Sequence, residues 1–308
     1  MRGLDFALND ISLAVFTTLA PGATMAYVAL ACTLLFGRLD NRAHSCLESW
    51  LIMPLALATL GLVASTTHLG TPGNALYVFR NVGSSPLATE VLCTVLFLGT
   101  ACSYWLGCIY IKDHRTLRNL WLAISIITAF LFIAGTTLAY SMPTVVTWDT
   151  TLARTIQPLI ALCCMSPLAL LVYTCSGCVG KGGAQKILVT ISLLATAASC
   201  ILMFAQNAEL SVQRNAFGTA AALVPLYPAA IILFGICLVT ANLGALRITR
   251  SLVRATADTM QSRDVYEGFT PTEKRAILKL SALCLVAYTG TFAVRFCFYC
   301  FHMTSGVV

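Results

Sequence analysis

The sequence predicts an all-α integral membrane protein, a bundle of eight transmembrane helices with both termini on the outer side. Three observations lead there. Of 308 residues, 58% have hydrophobic side chains and 10% are charged, and mean hydropathy is +0.83, far from the balance of a soluble domain. The apolar residues fall into eight stretches, each close to the roughly 20 residues a helix needs to cross a hydrocarbon core of about 30 Å. The basic residues concentrate in every second connection, as they do when positive charge is retained on the cytoplasmic side.

Helix 1 is expected over 11 to 36. The preceding MRGLDFALND carries Asp5 and Asp10, lacks a basic amino region and leads into no small-residue cleavage pattern, so the helix is expected to be retained and not removed as a signal. Helix 2 covers 48 to 67, with His68 at its end. The link HLGTPGNALYVFRNVGSSP follows, in which Gly70, Pro72, Gly73 and Gly83 impose specific turns and let backbone approach a ligand closely. Pro86 is a start signal for helix 3, 87 to 111, with Glu90 in its first turn, where a carboxylate also complements the helix dipole. Helices 4, 5 and 6 follow at 119 to 140, 155 to 175 and 185 to 205. Helix 7 at 221 to 245 and helix 8 at 276 to 301 flank Arg247 to Arg275, the one sizeable hydrophilic segment, expected to be a loop. Such short connections leave no room for a soluble domain, so residues 1 to 308 are expected to form one transmembrane domain.

The connections after helices 1, 3, 5 and 7 hold Arg38, Arg42, Lys112, Arg115, Arg118, Lys181, Lys186, Arg247, Arg250, Arg254, Arg263, Lys274, Arg275 and Lys279, which is 14 of the 19 basic residues. Arg2, Arg80, Arg154, Arg214 and Arg295 fall on the other side, which puts both termini outside. The net charge of +7 therefore reports topology and lipid headgroups, not nucleic-acid binding. Most of the 14 cysteines lie within apolar runs, where a thiol acts as a small hydrophobe. Cys175/Cys178 and Cys297/Cys300 have CxxC spacing, a weak signal for metal or redox chemistry. The first pair, at a cytoplasmic helix end, is read as structural; at the second, near the outer face, an oxidising compartment permits a disulfide.

Ionisable groups at a membrane span are functional candidates, because burying them is costly. His44 and His114 belong to the basic loops. His68, His302, Glu90, Glu209 and Arg295 are expected at the outer ends of helices, so the chemistry gathers on that face. In the last helix Arg295, Phe298, Tyr299 and His302 fall at i, i+3, i+4 and i+7, one stripe of a helix. Arg295 sits about two turns inside the helix end and needs a carboxylate or carbonyl partner, for which Glu90 and Glu209 are the candidates. The plain alternatives are an aromatic interfacial belt for Tyr299 and helix capping for His68.

Only His68 and His302 could meet as axial ligands, and both lie near helix ends, so a buried bis-histidine haem is not expected. No HExxH, Walker A, GxGxxG or serine-nucleophile motif appears. A lipid-soluble quinol fits better: its tail enters from the bilayer, and its oxidation releases two electrons and two protons. Partly buried His and Glu suit the proton transfers. With no resident metal or haem signature, the electrons are expected to leave to a cofactor on another subunit.

His68-Leu-Gly-Thr-Pro72, the run from Arg80 to Glu90, and the ending Arg295-Phe-Cys-Phe-Tyr299-Cys-Phe-His302-Met-Thr resemble the membrane anchor subunits of bacterial dimethyl sulfoxide reductase complexes. Val145-Val-Thr-Trp148, Ala208-Glu-Leu and Ala220-Ala-Ala-Leu-Val-Pro225 extend the resemblance over most of the sequence. It implies a haem-free, eight-helix inner-membrane subunit that binds menaquinol near the periplasmic face, the side on which the charge pattern puts both termini. It also implies an iron-sulfur subunit and a molybdenum-cofactor catalytic subunit as partners on that face. The histidine and the glutamate tied to quinol oxidation in the family match His68 and Glu90. Gly70, Arg80, Arg295, Tyr299 and His302 are expected around the same quinol. An anchor for a related enzyme acting on polysulfide, tetrathionate or another oxyanion is the near alternative. A secondary transporter is the distant one, disfavoured because the polar residues gather at one face and no internal repeat is visible.

Overall fold

The computed structural model describes residues 2–67, 72–110, 114–180, 184–215, 218–255 and 268–301. Among these residues are eight spans long and apolar enough to cross a membrane: Ile11–Phe36, Asn41–Thr66, Pro86–Cys108, Arg115–Ala139, Thr151–Cys175, Ala184–Val212, Tyr227–Ala255 and Pro271–Cys300. They are built from helices α2 (Ile11–Phe36), α3 (Asn41–Trp50), α4 (Ile52–Thr66), α5 (Pro86–Tyr110), α6 (Arg115–Ala139), α7 (Thr151–Cys163), α8 (Met165–Cys175), α9 (Ala184–Val212), α10 (Tyr227–Ala255) and α11 (Pro271–Cys300), preceded by the short α1 (Arg2–Asn9).

Two spans are each made of two helices, and proline explains both breaks. A proline ring clashes with the carbonyl four residues earlier and offers no N–H to it. Pro54 places that conflict at Trp50, where α3 ends, and Pro167 places it at Cys163, where α7 ends. The carbonyls released at the second break are buried, so they need partners in a protein surrounded by lipid. The Ser192 hydroxyl donates to the Leu162 carbonyl at 2.8 Å, and the Asn242 amide reaches the Cys163 carbonyl at 3.4 Å. Asn242 in turn accepts from the Ser166 hydroxyl.

α2 is apolar on all sides and occupies the middle of the bundle, packed against α4, α6, α7, α8 and α11. Every residue of α8 is also buried. Close helix contacts rest on glycine at α10 and α11: a Cβ on Gly290 would lie 2.6 Å from the Cys237 Cβ. α11 begins with a capping box in which the Thr270 amide donates to Glu273 at 2.8 Å and the Glu273 amide donates to the Thr270 hydroxyl at 3.3 Å, with Pro271 as first helical residue.

Several connections differ from the expectations. Arg247 to Ala255, expected as loop, continues α10; its polarity reports exposure, while Thr249 and Leu252 keep one face buried. The seventh helix begins at Tyr227, not 221, because an antiparallel pair of short strands, β1 (Arg214–Asn215) and β2 (Gly218–Thr219), and a 3₁₀ turn at Ala220–Leu223 precede it. The turn-like link before α5 contains a 3₁₀ helix, Pro72–Asn81. Gly83 then turns the backbone at φ +86, a conformation suited to glycine, and its amide donates to the Thr89 hydroxyl at 3.2 Å. None of the 14 cysteines forms a disulfide, including both CxxC pairs.

Candidate functional site

At the end of the bundle opposite the basic connections, polar side chains from several helices converge. Glu90, in the second turn of α5, is 1% exposed. Its backbone comes close to α6 because residue 135 is glycine: a Cβ there would meet the Glu90 Cα at 3.3 Å. Thr136 lies beside the carboxyl group. One carboxyl oxygen, Oε1, has no hydrogen-bond partner among the described residues, an expensive condition for a buried polar atom unless it serves a ligand or proton transfer.

Arg295 is 2% exposed, and its Nη1 donates to the side-chain carbonyl of Gln157 on α7. The sequence-based requirement for a carboxylate or carbonyl is thus met by an amide, and neither Glu90 nor Glu209 is the hydrogen-bonding partner. Glu90 is instead an electrostatic neighbour of Arg295. Nε and Nη2 of Arg295, together with Gln206 Nε2 on α9, are donors with no acceptor among the described residues. Arg295, Gln157 and Gln206 border a cavity of about 10 Å³, on the order of one water in size. The Gln206 carbonyl accepts from the Tyr227 hydroxyl at 2.8 Å.

Tyr299, one turn beyond Arg295, is fully buried. Its hydroxyl shares a 3.3 Å hydrogen bond with Thr17 of α2, and its ring meets Tyr140 edge-on at 5.8 Å between centroids. The Tyr140 hydroxyl is buried without a partner among the described residues and lies within electrostatic range of Glu90, Tyr299 and Arg295. The segment after α6 locks this end of α11 in place. The Trp148 ring stacks on Phe298 at 4.9 Å and its Nε1 donates to the Phe298 carbonyl at 3.2 Å, while the Thr147 hydroxyl donates to the carbonyl of Phe301.

Of the residues expected at the site, Glu90, Arg295 and Tyr299 are brought together. Arg80 is not: it is exposed, and its guanidinium stacks 4.6 Å over the Tyr77 ring of its own 3₁₀ helix. His68, Gly70 and His302 lie outside the described residues. Tyr140, Gln157, Gln206 and Thr136 were missed. Gln157 and Gln206 stand out in otherwise apolar runs, a signal overlooked when only charged groups are counted.

A bundle of eight membrane-length helices that encloses a carboxylate, a guanidinium and two phenols at one end defines an all-α, multi-pass membrane protein with a titratable site near one membrane surface. More particularly, the protein belongs to the DMSO reductase anchor subunit (DmsC) family, whose model matches residues 4–262. It is 28% identical over 301 residues to the C subunit of the anaerobic dimethyl sulfoxide reductase of Escherichia coli strain K12, covering 97% of each sequence. The C subunit of the Haemophilus influenzae enzyme is 28% identical over 149 residues, 48% of this sequence and 53% of that one. The YnfH subunit of an anaerobic dimethyl sulfoxide reductase of E. coli K12 is 29% identical over 199 residues, 63% of this sequence and 66% of the relative. The protein is accordingly a multi-pass bacterial inner-membrane subunit that anchors a complex of the DMSO reductase type.

Proposed function

We propose that this anchor oxidises menaquinol at the Glu90 end of the bundle and passes the electrons to an iron-sulfur subunit, from which they reach a molybdenum-cofactor catalytic subunit. Both partners dock on the periplasmic face, and both termini of the anchor lie on that side. The observation that carries this reading is the buried Glu90 carboxyl with an unengaged oxygen, set among Tyr140, Tyr299 and Arg295 at the end of the bundle. A quinol hydroxyl presented to Oε1 supplies the hydrogen bond that the carboxyl lacks, and carboxylate Glu90 takes its proton as the electrons depart. His68, which immediately follows the α4 end of the bundle in sequence, orients or deprotonates the other hydroxyl. Two protons and two electrons leave each quinol, the protons outward and the electrons to the partner's clusters. Arg295, fixed by Gln157, stabilises negative charge in the cluster and the oxyanion that develops on the quinol.

The test replaces His68 with Ala and Glu90 with Gln separately in the intact complex. Menaquinol-dependent reduction of the terminal acceptor is expected to fall about 100-fold or more, while assembly and acceptor reduction from an artificial donor persist. Normal quinol turnover by both assembled variants would overturn the assignment.

A further inference from the structure

The end of the bundle that carries the basic connections holds a second polar site. Glu48, near the end of α3, is 4% exposed and its charge is consumed internally. Oε1 accepts from the Tyr104 hydroxyl at 2.6 Å and from Arg118, with the Cys108 thiol at 3.5 Å. Oε2 lies 3.5 Å from Nδ1 of His44 one turn earlier. This knot ties α3 to α5 and α6 and forms the floor of a cleft of about 350 Å³ whose polar lining includes Asn41, His44, Ser45, Arg115, Arg118 and Asn119.

Among the charged residues that line the cleft, one cation is left over. Arg118 and Glu48 cancel one another, whereas Arg115 is exposed and makes no hydrogen bond or ion pair among the described residues. Arg115 is also the first residue of α6, whose N-cap, His114, makes no side-chain cap hydrogen bond. The first-turn amides of a 25-residue helix and their dipole therefore add positive potential on the same side of the cleft. Asn119 supplies an amide donor one turn beyond Arg115, on the same face of α6. Cationic and neutral donors around a cleft, above a carboxylate already neutralised, suit a tetrahedral oxyanion.

We propose that this cleft binds a phosphate group, with Arg115 and Asn119 as its donors. The place of the cleft among the basic connections favours a phospholipid as its carrier. Leu39, half-buried, is the apolar neighbour that the lining itself offers to the start of an acyl chain. A membrane leaflet rich in anionic lipid faces the basic connections of such a protein.

The experiment uses the purified complex, stripped of lipid in detergent, and the variants Arg115→Gln and Asn119→Ala, neither of which touches Glu48. Phosphatidylglycerol is titrated and bound copies are counted by native mass spectrometry, with a phosphate-free glucosyl diacylglycerol as control; radiolabelled inorganic phosphate is titrated separately. The wild-type complex should bind one phosphatidylglycerol at least 10-fold more tightly than either variant, and the glycolipid should not discriminate between them. If inorganic phosphate binds the wild type alone and displaces the lipid, the phosphate site stands and its occupant is free phosphate. Equal affinity of wild type and variants for both probes overturns the proposal, as does glycolipid bound as tightly as phosphatidylglycerol. Quinol turnover should be unchanged in both variants, which confirms intact folding and separates this test from the one on Glu90.

Discussion

Replacing Gln157 with Leu removes the hydrogen-bonding partner of a guanidinium that is 2% exposed and already has two nitrogens without acceptors among the described residues. Leu and Gln are similar in volume, so packing at this position changes little and the cost falls on the lost bond. A hydrogen bond to a charged group contributes about 1.5–3 kcal/mol, which corresponds to roughly a 10- to 150-fold shift in the ratio of folded to unfolded protein. Arg295→Met should also destabilise, because it leaves the Gln157 carbonyl buried and unpaired. The double variant Gln157→Leu/Arg295→Met removes both polar groups at once, and the loss should be well short of the sum of the two singles. The assay is the thermal inactivation midpoint of the detergent-solubilised complex, followed for all four members of the cycle. Additive effects would refute the pairing. An unchanged Gln157→Leu variant would show that Arg295 is held by another acceptor, with Glu90 the first to examine.

Two further outcomes probe the scaffold by the same assay. Gly290→Ala places a methyl 2.6 Å from the Cys237 Cβ and should cost about 1–3 kcal/mol through overpacking, whereas Gly99→Ala, which meets nothing within 4 Å, should hold or gain up to about 1 kcal/mol; equal behaviour would mean that α10 and α11 are less closely packed than this geometry requires. Ser192→Ala strips the hydroxyl that caps the Leu162 carbonyl at the α7–α8 break and accepts from the Ser166 amide at 3.3 Å, and should cost about 1–3 kcal/mol. Ser211→Ala, on an exposed surface, should stay within about 0.5 kcal/mol, so matched midpoints for these two serines would remove the capping role.

The eight spans were legible because bilayer thickness fixes helix length and lipid fixes composition, and no long-range contact is needed to read either. The helix breaks were equally present in the sequence as Pro54 and Pro167, each four residues beyond a break, but were passed over because hydropathy does not register them. Arg247 to Ala255 is the opposite case: a polar helix leaving the membrane looks like a loop when polarity is the only measure. At the site, the stripe of Arg295, Phe298 and Tyr299 was readable because it obeys helical spacing. The partner of Arg295 was not, since Gln157 lies 138 residues away and carries no charge to draw attention.

Glu48 shows why such networks escape a linear reading even when every member is ionisable or polar. Its contacts at Tyr104 and Arg118 lie 56 and 70 residues further along the sequence, and only the folded arrangement of α3, α5 and α6 brings them together. The contrast between the two buried glutamates is informative about function. Both oxygens of Glu48 are engaged by neighbouring side chains, so it acts as a tie between helices. Glu90 is equally buried, yet its nearest cation is committed to Gln157 and one oxygen is left without a donor. A carboxyl kept without compensation gains the most from an arriving hydroxyl, and that difference, more than burial itself, is why the quinol chemistry is assigned to the Glu90 end and a structural role to Glu48.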